Sequence, residues 1–177
     1  WISHGYEVAM TPMQILTFYN AVANNGKMVK PMLVKSVREH GRAVEVFEPV
    51  VLNERIASEE TIEKAKEMLE EVVRSGTAMN LKDASYSIAG KTGTAQIADG
   101  RTGYDKGSHQ ASFCGYFPSE DPKYTCIVVV NSPRKNVYYG NLVAGPIFKE
   151  IADKVYSTSI DFHEELQPQL ADNSINI

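Results

Sequence analysis

Two cysteines, one tryptophan and no long apolar run are what this 177-residue chain has least of. Cys114 and Cys126 are too few for the multi-bridge framework that holds small secreted scaffolds together. They fall opposite each other if residues 111 to 130 form a hairpin. That leaves a cross-strand bridge open beside the reading of two buried free thiols. No stretch approaches the length of a membrane-crossing helix, and there is no signal-peptide pattern. Excess basic charge is missing too. Net charge is -4, and the acid is local: residues 158 to 177 hold Asp161, Glu164, Glu165 and Asp172, with no Lys or Arg. Apart from those four, acidic and basic residues balance, so the body carries no electrostatic footprint for nucleic acid. The histidines (His4, His40, His109, His163) have no metal-ligand spacing and read as surface residues.

Apolar residues make up 43% of the chain and charged residues 23%, ordinary values for one globular domain with a real core. Thr11-Pro12-Met13-Gln14 opens a helix: Thr11 caps, Pro12 suits the first helical position, and Gln14 completes a capping box. The helix runs to about Asn24, with Gly26 as its stop. Residues 32 to 37 and 43 to 47 read as a small hairpin around Glu39-His40-Gly41-Arg42. Ser58 caps a second helix, striped by Ile62, Ala65, Met68, Leu69, Val72 and Val73 and ended by Gly76. Three strands follow, over about 87 to 96, 111 to 117 and 124 to 131. Residues 97 to 110 are polar and Gly-rich and read as a mobile loop; 118 to 122 form a turn. Gly145-Pro146 starts a last helix, with Ile147, Phe148, Ile151, Ala152, Val155 and Tyr156 facing inward. Residues 158 to 177 read as a loosely held tail.

The chemistry concentrates in Ala89-Gly90-Lys91-Thr92-Gly93-Thr94-Ala95-Gln96. On a strand, side chains alternate faces, so Thr92 and Thr94 share one face and offer two hydroxyls to a carboxylate. Lys91, one step away, supplies positive charge near the same cleft. Gly93 has no side chain, so a peptide can lie flat against the strand and pair with its backbone. A bare K-T-G triplet fits a Thr-rich edge strand with a solvated lysine equally well; the longer string does not. K-T-G is one of three signatures of serine acyl-transfer enzymes that handle penicillin, with S-x-x-K and S-x-N. The chain offers poor versions of the other two. Ser132-Pro133-Arg134-Lys135 has a proline inside it and follows a strand, whereas S-x-x-K needs a helix that puts serine and lysine one turn apart. Ser174-Ile175-Asn176 sits at the end of the tail.

Four blocks resemble the class B penicillin-binding proteins, the septal or elongation D,D-transpeptidases. They are residues 5 to 14, residues 24 to 31, Gly76-Thr77-Ala78 leading into the Lys91 strand, and Gly115-Tyr116-Phe117-Pro118 with Tyr138-Tyr139-Gly140 and residues 144 to 148. The resemblance covers most of residues 5 to 157. It implies an α/β fold, an antiparallel sheet flanked by helices, as an incomplete β-lactamase-like transpeptidase domain over residues 1 to 157. It gives Lys91 a place in a proton and hydrogen-bond network with the S-x-N serine. Thr92 and Thr94 would bind the terminal carboxylate of the D-Ala-D-Ala stem peptide, or of a β-lactam, with Gly93 and Gln96 beside them. The Thr94 N–H would form half of an oxyanion hole. In the family the true S-x-x-K and S-x-N precede the Thr11-Pro12 helix, so a chain starting at Trp1 is expected to have lost them and to be inactive alone. No metal or organic cofactor is implied. The implied partners are peptidoglycan stem peptides, β-lactams, the rest of the parent chain, and other division or elongation proteins. The implied site of action is the outer face of the cytoplasmic membrane, reached through an absent N-terminal anchor.

Two other readings are weaker. Gly90-Lys91-Thr92 fits a P-loop poorly, because Ser85 stands where its first glycine should be and no helix start follows. A non-catalytic module of the same fold would add a peptide strand to the sheet without ever forming a covalent adduct.

Overall fold

A computed structural model describes residues 8–99, 103–134 and 137–159. Helix α1 (Pro12–Ala23) begins as its sequence dictates. The Thr11 hydroxyl accepts from Gln14 N, and the Gln14 side chain accepts from Thr11 N at 2.8 Å. Asn24 caps its other end, and Gly26 leaves with φ +88°, a conformation that a side chain would strain. Next come four short strands in two pairs. β1 (Met28–Val29) pairs with β4 (Val51–Asn53), and β2 (Ser36–Glu39) pairs with β3 (Arg42–Val46). The β2–β3 hairpin turns at His40 and Gly41, both at positive φ, as their sequence suggests. β2 starts at Ser36, four residues later than expected.

Helix α2 (Glu59–Arg74) is capped by the Ser58 hydroxyl, which accepts from Thr61 N. Glu59 and Glu60 in its first turn complement the helix dipole. Of its apolar stripe, Ile62 and Val73 are buried, but Met68 is 68% exposed. After α2 the chain makes a 3-10 turn (Met79–Leu81) and enters the main sheet.

β5 (Ala89–Asp99), β6 (Gly103–Phe117) and β7 (Tyr124–Asn131) form an antiparallel sheet in that order, with β5 at one edge among the described residues. Helix α3 (Gly140–Thr158) packs on one face, where Phe113, Phe117, Phe148, Ala144 and Ala152 are nearly or fully excluded from solvent. The Phe113 and Phe148 rings meet edge-on at 4.7 Å. α1 covers part of the other face, where Ala23, Ala89 and Tyr116 form a second buried cluster with Leu69 of α2 packed against it. Among the described residues no helix is long and apolar enough to cross a membrane.

Four expectations need correction. Residues 97–99 and 103–110 are not a loop but continue the β5–β6 hairpin, with Gln96 opposite His109 and Asp99 opposite Gly103. The ladder is made by backbone groups, so polar side chains do not end it. Cys114 pairs with Ile127, and Cys126 with Gly115. The one-residue offset puts the two thiols on opposite faces of the sheet rather than opposite each other, which rules out the bridge; both are free, as the free-thiol reading has it. α3 starts at Gly140 rather than Gly145, leaving Pro146 inside the helix. The earlier turn is held by packing: Ala144 is fully buried, and Gly145 lies beside Leu81. Finally, Ile147 and Ile151 are about two-fifths exposed, so the inner face of α3 is Phe148 and Ala152, with Val155 and Tyr156 packed against the same core as expected. Ser174-Ile175-Asn176 and the tail beyond Ser159 lie outside the described residues.

Candidate active site

The site is built on β5, where residues alternate between two environments. Lys91 and Gly93 face α1; Thr92 and Thr94 face the end of α2 and the start of α3. A Cβ on Gly93 would stand 2.4 Å from Ser112 Oγ, directly across on β6. A side chain at Gly93 would therefore need the Ser112 hydroxyl to rotate away, and its absence leaves a flat approach.

Lys91 is exposed. Its ammonium donates to the Thr92 carbonyl at 2.9 Å and to Thr92 Oγ1 at 3.3 Å. It lines two hollows at once. One, of about 150 Å³, lies between α1 and the sheet beside Ile15, Tyr19, Gly93 and Ser112. The other, of about 540 Å³, is an apolar groove between α1 and α2, walled by Phe18, Val22, Met68, Leu69 and Val72. Tyr19 borders both, and burial, with a lesser contribution from Cys114, pushes its phenol up to about 12. It is thus a neutral wall, not a base, at ordinary pH.

The threonine hydroxyls are both engaged. Thr94 Oγ1 accepts from Gly140 N at 3.1 Å. Accepting uses a lone pair and leaves the hydroxyl proton for another acceptor. Thr92 Oγ1 lies 2.9 Å from Thr77 Oγ1, just beyond the end of α2. Gln96 is exposed further along β5, opposite His109. The His109 ring stacks on Tyr138 at 4.0 Å and 13°, and Tyr138 leans on Tyr139 at 4.7 Å. A row of Thr92, Thr94 and Gln96 therefore runs beside an aromatic wall. It can donate hydrogen bonds to an anion near a fixed positive charge.

Sequence reading singled out Lys91, Thr92, Gly93, Thr94 and Gln96, and they lie together along β5. It gave no role to Thr77, Ser112 or Gly140. Their contacts to β5 span 15, 19 and 46 residues and leave no local pattern. Ser132 follows β7 at φ +51°, with no helix at Pro133 and Arg134, so the literal S-x-x-K there is not built as one. Lys135 lies outside the described residues. Among the described residues no three His, Cys, Asp or Glu side chains converge as metal ligands do.

Residues 1–153 match the family model described as the penicillin binding protein transpeptidase domain. A peptidoglycan D,D-transpeptidase FtsI from Buchnera aphidicola is 31% identical over 156 residues, covering 87% of this chain and 26% of that protein. The solved transpeptidase domain of penicillin-binding protein 3 from Burkholderia pseudomallei superposes with a TM-score of 0.71 at 28% identity, covering 90% of this chain and 46% of that one. Penicillin-binding protein 3 of Mycobacterium tuberculosis, solved in complex with aztreonam, gives a TM-score of 0.73 at 27% identity, covering 92% of this chain and 37% of that one. The chain spans about a quarter of the length of the curated relatives it matches.

Proposed function

The chain belongs to the penicillin-binding protein transpeptidase domain family, and from that premise we propose that it carries the K-T-G side of a serine D,D-transpeptidase active site. The parent protein cross-links peptidoglycan stem peptides and is acylated by β-lactams. The nucleophilic serine and its lysine stand outside these 177 residues, on the part of the domain that the chain does not span. Residues 1–157 belong to the domain, and 158–177 form an acidic tail.

The observation that carries the reading is the arrangement on β5. A lysine and two threonine hydroxyls lie within four residues of an edge strand, each tied by a hydrogen bond, with Lys91 and Thr92 lining the hollow beside the sheet and Thr94 exposed next to them. In the proposed reaction the serine oxygen attacks the carbonyl carbon between the two D-alanines. The Thr94 N–H donates to the oxygen that becomes negative. Thr92 and Thr94 donate to the terminal carboxylate, and Gln96 borders the same end of the substrate. Gly93 lets the peptide lie against the strand. Lys91 favours negative charge in the cleft and links to the proton network of the absent serines. The C–N bond breaks, D-alanine leaves with a proton, and a serine ester remains for an amine to take. Work outside the cytoplasmic membrane, on an anchored parent and beside other division or elongation proteins, fits this substrate.

A fluorescent penicillin applied to the parent protein tests the reading. The wild type should be labelled covalently. Lys91→Ala should lose most labelling, and Thr94→Val, which keeps the oxyanion-hole N–H but loses the hydroxyl for the carboxylate, should slow it by an amount worth about 1.5 to 3 kcal/mol, the usual worth of a hydrogen bond to a charged group. The 177-residue chain alone should take no label. Near-normal labelling of both variants would refute the roles of Lys91 and Thr94. A parent that never forms an adduct would favour a non-catalytic peptide-binding module.

A further inference from the structure

We propose that Thr77 is a positioning residue for anion recognition: its hydroxyl donates to Thr92 and so turns the Thr92 proton outward toward the bound carboxylate. The inference rests on the proposed transpeptidase function and assigns a role to a residue outside the K-T-G strand.

Protons and lone pairs decide the direction of the bond. A threonine hydroxyl has one proton to donate and two lone pairs to accept with. The Lys91 ammonium can only donate, and it lies 3.3 Å from Thr92 Oγ1. One lone pair of Thr92 is thereby taken. The 2.9 Å contact between Thr77 Oγ1 and Thr92 Oγ1 then has two settings. If Thr92 donates to Thr77, no proton is left for a ligand. If Thr77 donates to Thr92, both lone pairs are filled and the Thr92 proton points out of the pair. A carboxylate accepts and never donates, so its arrival selects the second setting. The Thr92 donor is then charge-assisted, which is the stronger kind of hydrogen bond.

The backbone fixes Thr77 for this task. Gly76 N donates to the Glu71 carbonyl and Ala78 N to the Val72 carbonyl, both at 3.0 Å, so the residues on either side are tied back to α2. Ala78 is fully buried in the core. A Cβ on Gly76 would stand 2.8 Å from Val72 Cα, so only glycine allows the chain to turn this closely. Thr77 stands between these two fixed points and is itself exposed. Little ordering remains to be done when a ligand binds.

The test compares acylation of the parent by benzylpenicillin and by its methyl ester, which lacks the carboxylate charge. Wild type should prefer the acid. Thr77→Val keeps the shape and removes the hydroxyl. It should cut the acid-to-ester ratio roughly fivefold, the size expected of one neutral hydrogen bond, by slowing the acid and sparing the ester. Thr77→Ser should restore the ratio. If Thr77→Val folds poorly by thermal melt, Thr77→Ala against Thr77→Ser reads the same ratio. A ratio unchanged in the variant, or acid and ester slowed alike, overturns the role of Thr77 while leaving the proposed function standing. A wild-type parent that neither compound acylates overturns both.

Discussion

Gly140 sits so close to Gly93 that a Cβ on it would stand 2.7 Å from the Gly93 carbonyl oxygen and 2.5 Å from that of Ser112. The obstacles are backbone atoms, which do not step aside. The start of α3 is thus pressed onto the candidate site, and the Gly140 N–H reaches Thr94 Oγ1 because of it. Gly140→Ala should push the helix off the strand. Overpacking of this kind costs about 1 to 3 kcal/mol. The expected result is a lower melting temperature with slower penicillin acylation of the parent. Unchanged values for both would show that α3 does not set the strand.

The thiols should be inert in the folded protein. Burial, with a smaller contribution from Cys126, pushes the Cys114 thiol up to about 12, and burial raises Cys126 as well. Reaction requires the thiolate. A colorimetric disulfide reagent should therefore react slowly with native protein at pH 8 and with both cysteines in denaturant. Non-reducing gels should show no internal bridge. Rapid native reaction would mean that the sheet opens.

What the sequence made legible was local. The capping box at Thr11 and Gln14, the His40-Gly41 turn and the full extent of β7 each depend on residues a few positions apart. What it hid was register and long-range contact. The free thiols at Cys114 and Cys126 were readable, but their expected placement opposite each other was not, because a one-residue offset in pairing moves a side chain to the other face. Pro146 misled because it usually marks a first turn, whereas buried Ala144 fixes an earlier start. The strip of Lys91, Thr92, Gly93, Thr94 and Gln96 was readable as spacing. Its support from Thr77 and Gly140 was not, since only the fold brings those residues to β5.

Asp153 gives a pH dependence with a definite sign. Burial disfavours its charge, but hydrogen bonds from Lys149 and Tyr86 and the Lys149 charge outweigh this and lower its pKa. A carboxyl lowered on folding stabilises above its unfolded value, near pH 4, and loses that contribution as pH falls through the lower folded value. The group is largely solvated, so the effect is small. The melting-temperature gap between wild type and Asp153→Asn should be largest near pH 7 and shrink toward pH 3. A gap that widens in acid would reverse the assignment.

The apolar groove between α1 and α2 should make the isolated 177-residue chain self-associate. Phe18 is 52% exposed and Met68 68% exposed along it. Exposed apolar patches of this kind are normally covered. Light scattering should show species larger than a monomer, and Phe18→Ser with Met68→Lys should reduce them. A monodisperse wild-type monomer that melts cooperatively would mean the groove needs no cover.

Lys91 borders both that groove and the small hollow beside the sheet. In the proposed parent, whatever fills the groove also walls the lysine. Assembly and chemistry would then share an interlock. A molecule whose two halves are badly seated would fail to take penicillin even with every site residue present. Covalent labelling would count correctly assembled molecules rather than total protein, and substitutions deep in the groove would pass for active-site lesions until folding was measured separately.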